Sequence, residues 1–463
     1  MTEDRTQHRA ASPPFQPYPP RLRSWGVLVL FCIASIVSVI DRGILTLVVQ
    51  PVRAELGITD LQVSLLQGLS FGIFYAVMGI PLGLLADRVS RKRLLMFGIV
   101  VWSLATLYGA EASSFAELFA ARLLVGLGEA ALAPCAISMI GDMFPAHQRG
   151  RPISVYLLGQ AVAPGIGLFL TAKVLAAAPT GVFDHLPLLG GLAPWRLVFA
   201  ICGLIGLVVA ALMLVYREPV RRSAVAPQGA KGIGAGFGEA FGYLKRNWLV
   251  FVPFYVGFAV AVMHTYGLSG WNATYLIRTF ERTPVEVGEW LGTAAMICGA
   301  AGALSAGWIN DRAAALAQAG RPDIKLRLLM ILCCVALPST LLAFAPSFPV
   351  GLAMVALSIA VMPMLGTTMI SSITELVPGN MRGVATSMLG LTNTLLGATM
   401  GPLLIAFSTE HIYRDPALIG ASMTTVGLPV IALGLVLYGL AAKGMAKRLA
   451  DDAEFRAVVT GRA

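Results

Sequence analysis

"DMFPAHQRG" (142–150) and "ELVPGNMRG" (375–383) share a spacing: an acid, a proline three residues later, and Arg-Gly from the seventh. A second pair keeps the same order along the chain. "GLLADR" (83–88) is echoed by "GWINDR" (307–312), with Gly, Asp and Arg at matching places. Two echoes in one order imply a duplicated chain, each copy built from the same elements. Every one of these four stretches follows a long apolar run, so the repeated element is an apolar helix ending in a charged loop.

The composition says what surrounds those helices. Of 463 residues, 57% are hydrophobic and only 13% charged. A soluble domain carries about 25% charged residues, so most of this surface faces lipid. The 49 glycines suit helices packed closely in a membrane. A hydrocarbon core of ~30 Å takes about 20 helical residues. On that ruler the chain divides into twelve spans: 25–50, 61–86, 94–112, 116–143, 152–176, 195–216, 248–276, 285–309, 326–345, 349–374, 384–408 and 420–441. The expected fold is an all-α membrane protein of two pseudo-symmetric six-helix bundles. Its parts are an N-terminal arm (1–24), a first bundle (25–216), a Gly/Ala/Pro-rich linker (217–247), a second bundle (248–441) and a tail (442–463) with an amphipathic pattern.

The net charge of +10 has a topological cause. Lys and Arg crowd the loops after spans two, four, six, eight and ten, while the opposite loops hold little beyond Arg53, Arg278, Arg282 and Arg414. The positive-inside rule therefore puts the basic loops and both termini in the cytoplasm. A nucleic-acid partner is not expected. The Pro-rich arm has no apolar core of its own and does not read as a cleavable signal peptide. The six cysteines lie inside apolar runs and read as small buried hydrophobes. No metal-ligand spacing, no nucleotide-binding Gly-x-x-x-x-Gly-Lys-Ser/Thr and no nucleophile motif stands in the chain, so neither an enzyme nor an ATP-driven pump is expected, and no cofactor.

"GLLADRVSRKR" (83–93) resembles the inner-loop signature of the major facilitator superfamily, Gly-x-x-x-Asp-Arg-x-Gly-Arg-Lys-Arg, with Ser90 in place of the usual Gly. "RLLVGLG" (122–128) is similar to that family's fourth-helix Arg-x-x-x-Gly-x-Gly, and "GQAVAPGIG" (159–167) loosely to its fifth-helix Gly-Pro motif. "IDRG" in span one with "GLGEAALAP" in span four resembles the Spinster-type branch. The resemblance implies the major facilitator fold in a bacterial inner membrane. It also points to lipid-like cargo, since animal relatives are associated with sphingosine phosphate and lysophospholipids.

Deep inside the bundle stand Asp41 and Arg42 of span one and Arg122 and Glu129 of span four. A charge at the membrane centre costs about 2.5–3.5 kcal/mol on insertion scales. Four of them are tolerable only if they pair. Arg122 and Glu129 lie two turns apart on one helical face, whereas Asp41 and Arg42 point ~100° apart, so each acid is expected to meet an Arg of the other helix. These four are the expected proton-coupling groups, and Arg42, Arg122 and Glu129 the expected charged wall of a substrate cavity. The facing wall offers Thr265, Tyr266 and Asn393 and is otherwise apolar. One charged and one apolar wall suit an amphiphile, with lipophilic drug-like ions or small organic anions as alternatives and a passive channel disfavoured. A conformational latch is expected from Gly83, Asp87, Arg88, Arg91, Lys92, Arg93, Asp142 and Arg149, with Asp311, Arg312, Glu375 and Arg382 as their counterparts. Asp87 would meet the positive end of span eleven near Val384 when the cytoplasmic side closes. His264 reads as a neutral packed residue and Asn272-Ala-Thr274 as a chance glycosylation pattern. The protein is expected to act as a monomer among lipids, with protons and a small amphipathic molecule as its partners.

Overall fold

The computed structural model describes residues 18–222 and 233–459. Among these, eleven helices are long and apolar enough to cross a membrane. The remaining span, expected over 326–345, is an α-helix Ile324–Ala336 followed by 3₁₀ turns Leu337–Thr340 and Leu342–Phe344. Pro338 accounts for the change, since its ring collides with the carbonyl four residues back. At 1.5 Å per α-helical and 2.0 Å per 3₁₀ residue the segment still reaches roughly 33 Å. Counting this segment, the described residues are consistent with twelve spans, six in each half.

Duplication is visible in detail. Spans two and eight both start with a capping box, Thr59 with Gln62 and Thr283 with Glu286. At the far ends of spans four and ten, Arg149 donates to Phe144 O and Arg382 to Val377 O, each five residues back. Asp142 takes Arg91 as its partner, and Glu375 takes Lys325. Ser138 and Ser371, one turn before the acids, receive the same cations.

Three apolar cores organise the bundle. One holds residues of both halves, from Leu47 and Val63 to Trp271 and Met423, at the end away from the basic loops. The other two lie at the basic end and keep to their own half, one around Trp102 and Met139, the other around Phe251 and Tyr438. The molecule is thus a V, joined at one end and parted at the basic end.

The ends differ from expectation. Span one begins at Arg21, inside the expected arm, whose residues 1–17 lie outside the described residues. Part of the expected linker is a helix, Ile233–Arg246, and 223–232 lie outside the described residues. The last span runs on to Asp451, and Ala453–Val459 follows it, with Phe455 buried in the second half. The cysteines are free, but only Cys135, Cys202 and Cys333 are buried; Cys32 and Cys298 are half-buried and Cys334 is exposed. Asn272 and Thr274 are 3% and 0% exposed, which no glycosylation acceptor is.

Candidate functional site

Two interrupted helices carry the deep charges. Span one breaks at Ile44, between helices Arg21–Gly43 and Leu45–Leu56. Span four breaks at Ala130 and Ala131, directly after Glu129. Pro134 explains the second break, because it can neither donate to nor pack beneath the carbonyl of Ala130. An interrupted helix frees backbone carbonyls, and Arg122 takes them: its guanidinium donates to Asp41 O and Arg42 O, both at 2.9 Å.

The ion pairs are crossed between the helices. Arg42 Nε lies 2.6 Å from Glu129 Oε2, and Arg122 Nη1 lies 3.5 Å from Asp41 Oδ1. Ser38 adds a hydrogen bond to Glu129 at 2.6 Å, and Thr106 one to Asp41 at 2.5 Å. The second Glu129 oxygen, Oε1, is buried and receives no hydrogen bond.

The four charges do not share one exposure. Only Arg42 reaches the gap between the halves, with 36% of its side chain exposed, while Glu129, Asp41 and Arg122 are at 0–2%. Arg122, expected to line the cavity, is occupied as the cap of the break in span one, and Glu129 lies behind Arg42. Sequence reading also missed the aromatic pair that holds Arg42. Phe71 and Tyr75, one turn apart on span two, stack at 5.2 Å. The Arg42 guanidinium carbon lies 5.0 and 5.2 Å from their centroids, within cation–π range. Across the gap Asn393 donates to the Tyr266 hydroxyl at 3.2 Å. Thr265 does not join this wall, because it is 6% exposed and donates to Val262 O of its own helix.

The joined end is closed by polar contacts that the sequence did not reveal. Arg278 of span seven grips Asp60 of span two through two bonds of 2.8 Å, and Arg53 stands 3.1 Å from the same carboxylate. Asp60 is 1% exposed. Nearby, Glu410 accepts from Leu61 N, Ser64 donates to Pro402 O, and Gln67 donates to Gly270 O. Spans two and eleven each carry a π-helical turn here, Leu65–Leu69 and Asn393–Ala398. Among the described residues, hydrogen bonds between the halves all lie on this side or near the middle.

Among the described residues, the expected latch residues make no contact between the halves at the basic end. Asp87, Arg88, Arg93, Asp311 and Arg312 are exposed, and Gly83 and Gly383 face open space. Arg91 and Lys92 act within the first half instead. Arg91 joins Asp142 and Glu218, and Lys92 donates to Leu214 O and Tyr216 O. Ser90, the departure from the family pattern, caps span three and donates to Glu218 at 2.5 Å. Burial pulls the Glu218 carboxyl up, but the bonds from Ser90, Arg91 and Lys92 outweigh it and hold the group below the usual range. His264 is buried beside Ser339, and among the described residues no group of His, Cys, Asp and Glu could hold a metal.

Two bundles of six spans around buried charges define a membrane transporter. The chain belongs to the Major Facilitator Superfamily, whose family model matches residues 31–402. It is 25% identical over 434 residues to an MFS-type efflux pump of Mycolicibacterium smegmatis, covering 93% of this chain and 95% of that one. It is 28% identical over 219 residues to protein spinster of Drosophila melanogaster, covering 46% of this chain but only 34% of that longer protein. The fold is similar to the crystal structure of a bacterial homolog of the human lysosomal transporter Spinster, inward-facing and unoccupied. That likeness has a TM-score of 0.73 at 23% identity and covers 96% of this chain and 98% of that one.

Proposed function

We propose that this chain is a proton-coupled secondary transporter that moves an amphipathic, lipid-like organic anion by alternating access. The carrying observation is that Arg42 is shared between a buried carboxylate, Glu129, and the open gap. While Glu129 is charged it holds Arg42. A proton on Glu129 would remove the counter-charge and free Arg42 for an anionic headgroup. Proton and anion then load together, and neither crosses as an isolated charge. Asp41 answers to Arg122 in the same manner, so its protonation would loosen the cap on the break in span one.

In this reading the basic loops and both termini face the cytoplasm, the gap is open inward, and Asp60 with Arg278 is the closed outer gate. Asp87 would engage span eleven only in the outward-open state. The protein works as a monomer in a bacterial inner membrane. A small polar organic anion is a second reading, favoured by the hydroxyl and amide groups of Tyr75, Tyr266 and Asn393 around Arg42. The test is ligand-induced proton movement in proteoliposomes, with lysophosphatidic acid against a hydrophilic sugar acid. The first reading requires the lysolipid to move protons.

A further inference from the structure

A second polar cavity, of about 200 Å³, lies at the basic end of the first half, outside the transport path. At ~30 Å³ per water it holds several waters' worth of space. Its walls include Arg23 and Ser24 of span one, Asp142 of span four, and Arg217, Glu218 and Arg222 after span six. The two acids are already used. Asp142 accepts from Arg91 and from Arg222 N, and Glu218 accepts from Ser90 and from the side chain and backbone of Arg91. Arg222 donates to Asp142 O and lies over the Tyr18 ring at 3.9 Å. The exposed Arg23 lines the cavity and donates to Arg217 O at 3.5 Å.

Positive charge therefore exceeds negative around this space. A separate observation points to a ligand. Ser24, at 1% exposure, lines the cavity, and its hydroxyl has no hydrogen-bond partner in the structure. A buried hydroxyl without a partner is unfavourable unless something polar occupies the space in front of it. Exposed apolar side chains adjoin the lining residues in sequence: Leu22, Leu214 and Val215 are 88%, 65% and 82% exposed, and Val220 of the lining itself is 57% exposed. Trp25, the type of residue that sits at headgroup level, is half-exposed on the next turn.

We infer that this cavity binds the phosphate of an anionic phospholipid of the cytoplasmic leaflet, with Arg23, Arg217 and Ser24 on the phosphate and the acyl chains along Leu22 and Val215. This rests on the membrane topology proposed above but not on the transported substrate. Basic pockets between helices on this side of a membrane suit such headgroups. The bound phosphate would brace the segment 216–222 that ties spans two, three and four together, so lipid content would bear on the stability of the inner end.

The test uses the purified full-length chain in mild detergent. Native mass spectrometry counts bound phosphatidylglycerol or phosphatidylcholine of equal chain length, and thermal shift is read with each lipid and with inorganic phosphate. One phosphatidylglycerol is expected to be retained and to raise the melting temperature, with phosphatidylcholine weaker. Arg217→Gln, an exposed position that leaves the fold intact, and the Arg23→Gln/Arg217→Gln pair should weaken retention by about ten-fold or more, with the lipid-free melting temperature unchanged. An equal shift from inorganic phosphate, lost in the same variants, would keep the phosphate site and make its source soluble. Equal retention of phosphatidylglycerol by wild type and the double variant overturns the proposal.

Discussion

Replacing Gly165 by Ala should push the transporter out of the conformation seen here. Gly165 of span five faces span eight at the joined end. A Cβ added there would lie 2.5 Å from Gly292 O, 2.5 Å from Met296 N and 2.6 Å from Met296 Cγ. Two of these atoms are backbone and cannot rotate away. Ordinary contact starts at 3.4 Å, so the spans must separate by about 0.9 Å. Gly292, Gly288 and Gly299 make the same seam from the other side, so strain at one point is not absorbed by a loose neighbour. Overpacking costs about 1–3 kcal/mol, which changes a two-state ratio by roughly 5- to 150-fold. In the alternating-access reading, rocking to the opposite state would open this seam and remove the clash. The assay is double electron–electron resonance between labels at Arg93 and Ser387, placed with a bioorthogonal amino acid so that the native cysteines stay. Gly165→Ala should move population from the long distance to a shorter one, while Gly307→Ala, which meets open space, should not. A distance distribution unchanged in Gly165→Ala would refute the seam.

Arg278→Leu leaves Asp60 with Arg53 alone in a buried place. It should destabilise the joined end by about 3–5 kcal/mol, read as lower thermal stability and a shift of the same label distances. Asp87→Asn should leave the conformation seen here as stable as wild type, because Asp87 is exposed in it, but should speed return from the opposite state, which stopped-flow fluorescence would detect. Glu218→Gln should cost about 1.5–3 kcal/mol at neutral pH, the worth of hydrogen bonds to a charged group. Its folded pKa is depressed, so that stability is present above the unfolded carboxyl value of ~4.3 and is lost as pH falls through the lower folded value. Melting temperature against pH should therefore fall less steeply in acid for the variant than for wild type.

Much of the fold was legible because lipid imposes a coarse pattern. Apolar runs, basic loops and the doubled Asp/Glu-x-x-Pro spacing sufficed for twelve spans in two halves. The crossing of Asp41 and Arg42 with Arg122 and Glu129 followed from helix geometry and the cost of lone charges. What failed depended on pairs remote in sequence or on helix rotation. Asp60 stood one residue outside the expected second span, and nothing local joins it to Arg278, 218 residues on. Thr265 and Tyr266 are neighbours, but only the second faces the gap, which periodicity in an all-apolar helix does not resolve. Pro134 and Pro338 stand at the interrupted helices, but the expected spans 116–143 and 326–345 ran through both. The clasp of Glu218 on Ser90 lay in a stretch whose Gly/Ala/Pro content reads as linker.

The central claim is that a proton on Glu129 frees Arg42 to bind an anion, so that the two load together. Its most direct test is the pH dependence of binding, measured by isothermal titration of lysophosphatidic acid into the purified protein. For wild type, affinity should rise as pH falls, because protonation of Glu129 frees Arg42. Glu129→Gln should bind at least as tightly as protonated wild type and lose the pH dependence. Arg42→Ala should abolish anion binding at every pH. A Glu129→Gln variant that kept the full wild-type pH dependence, or an Arg42→Ala variant that bound normally, would contradict the account.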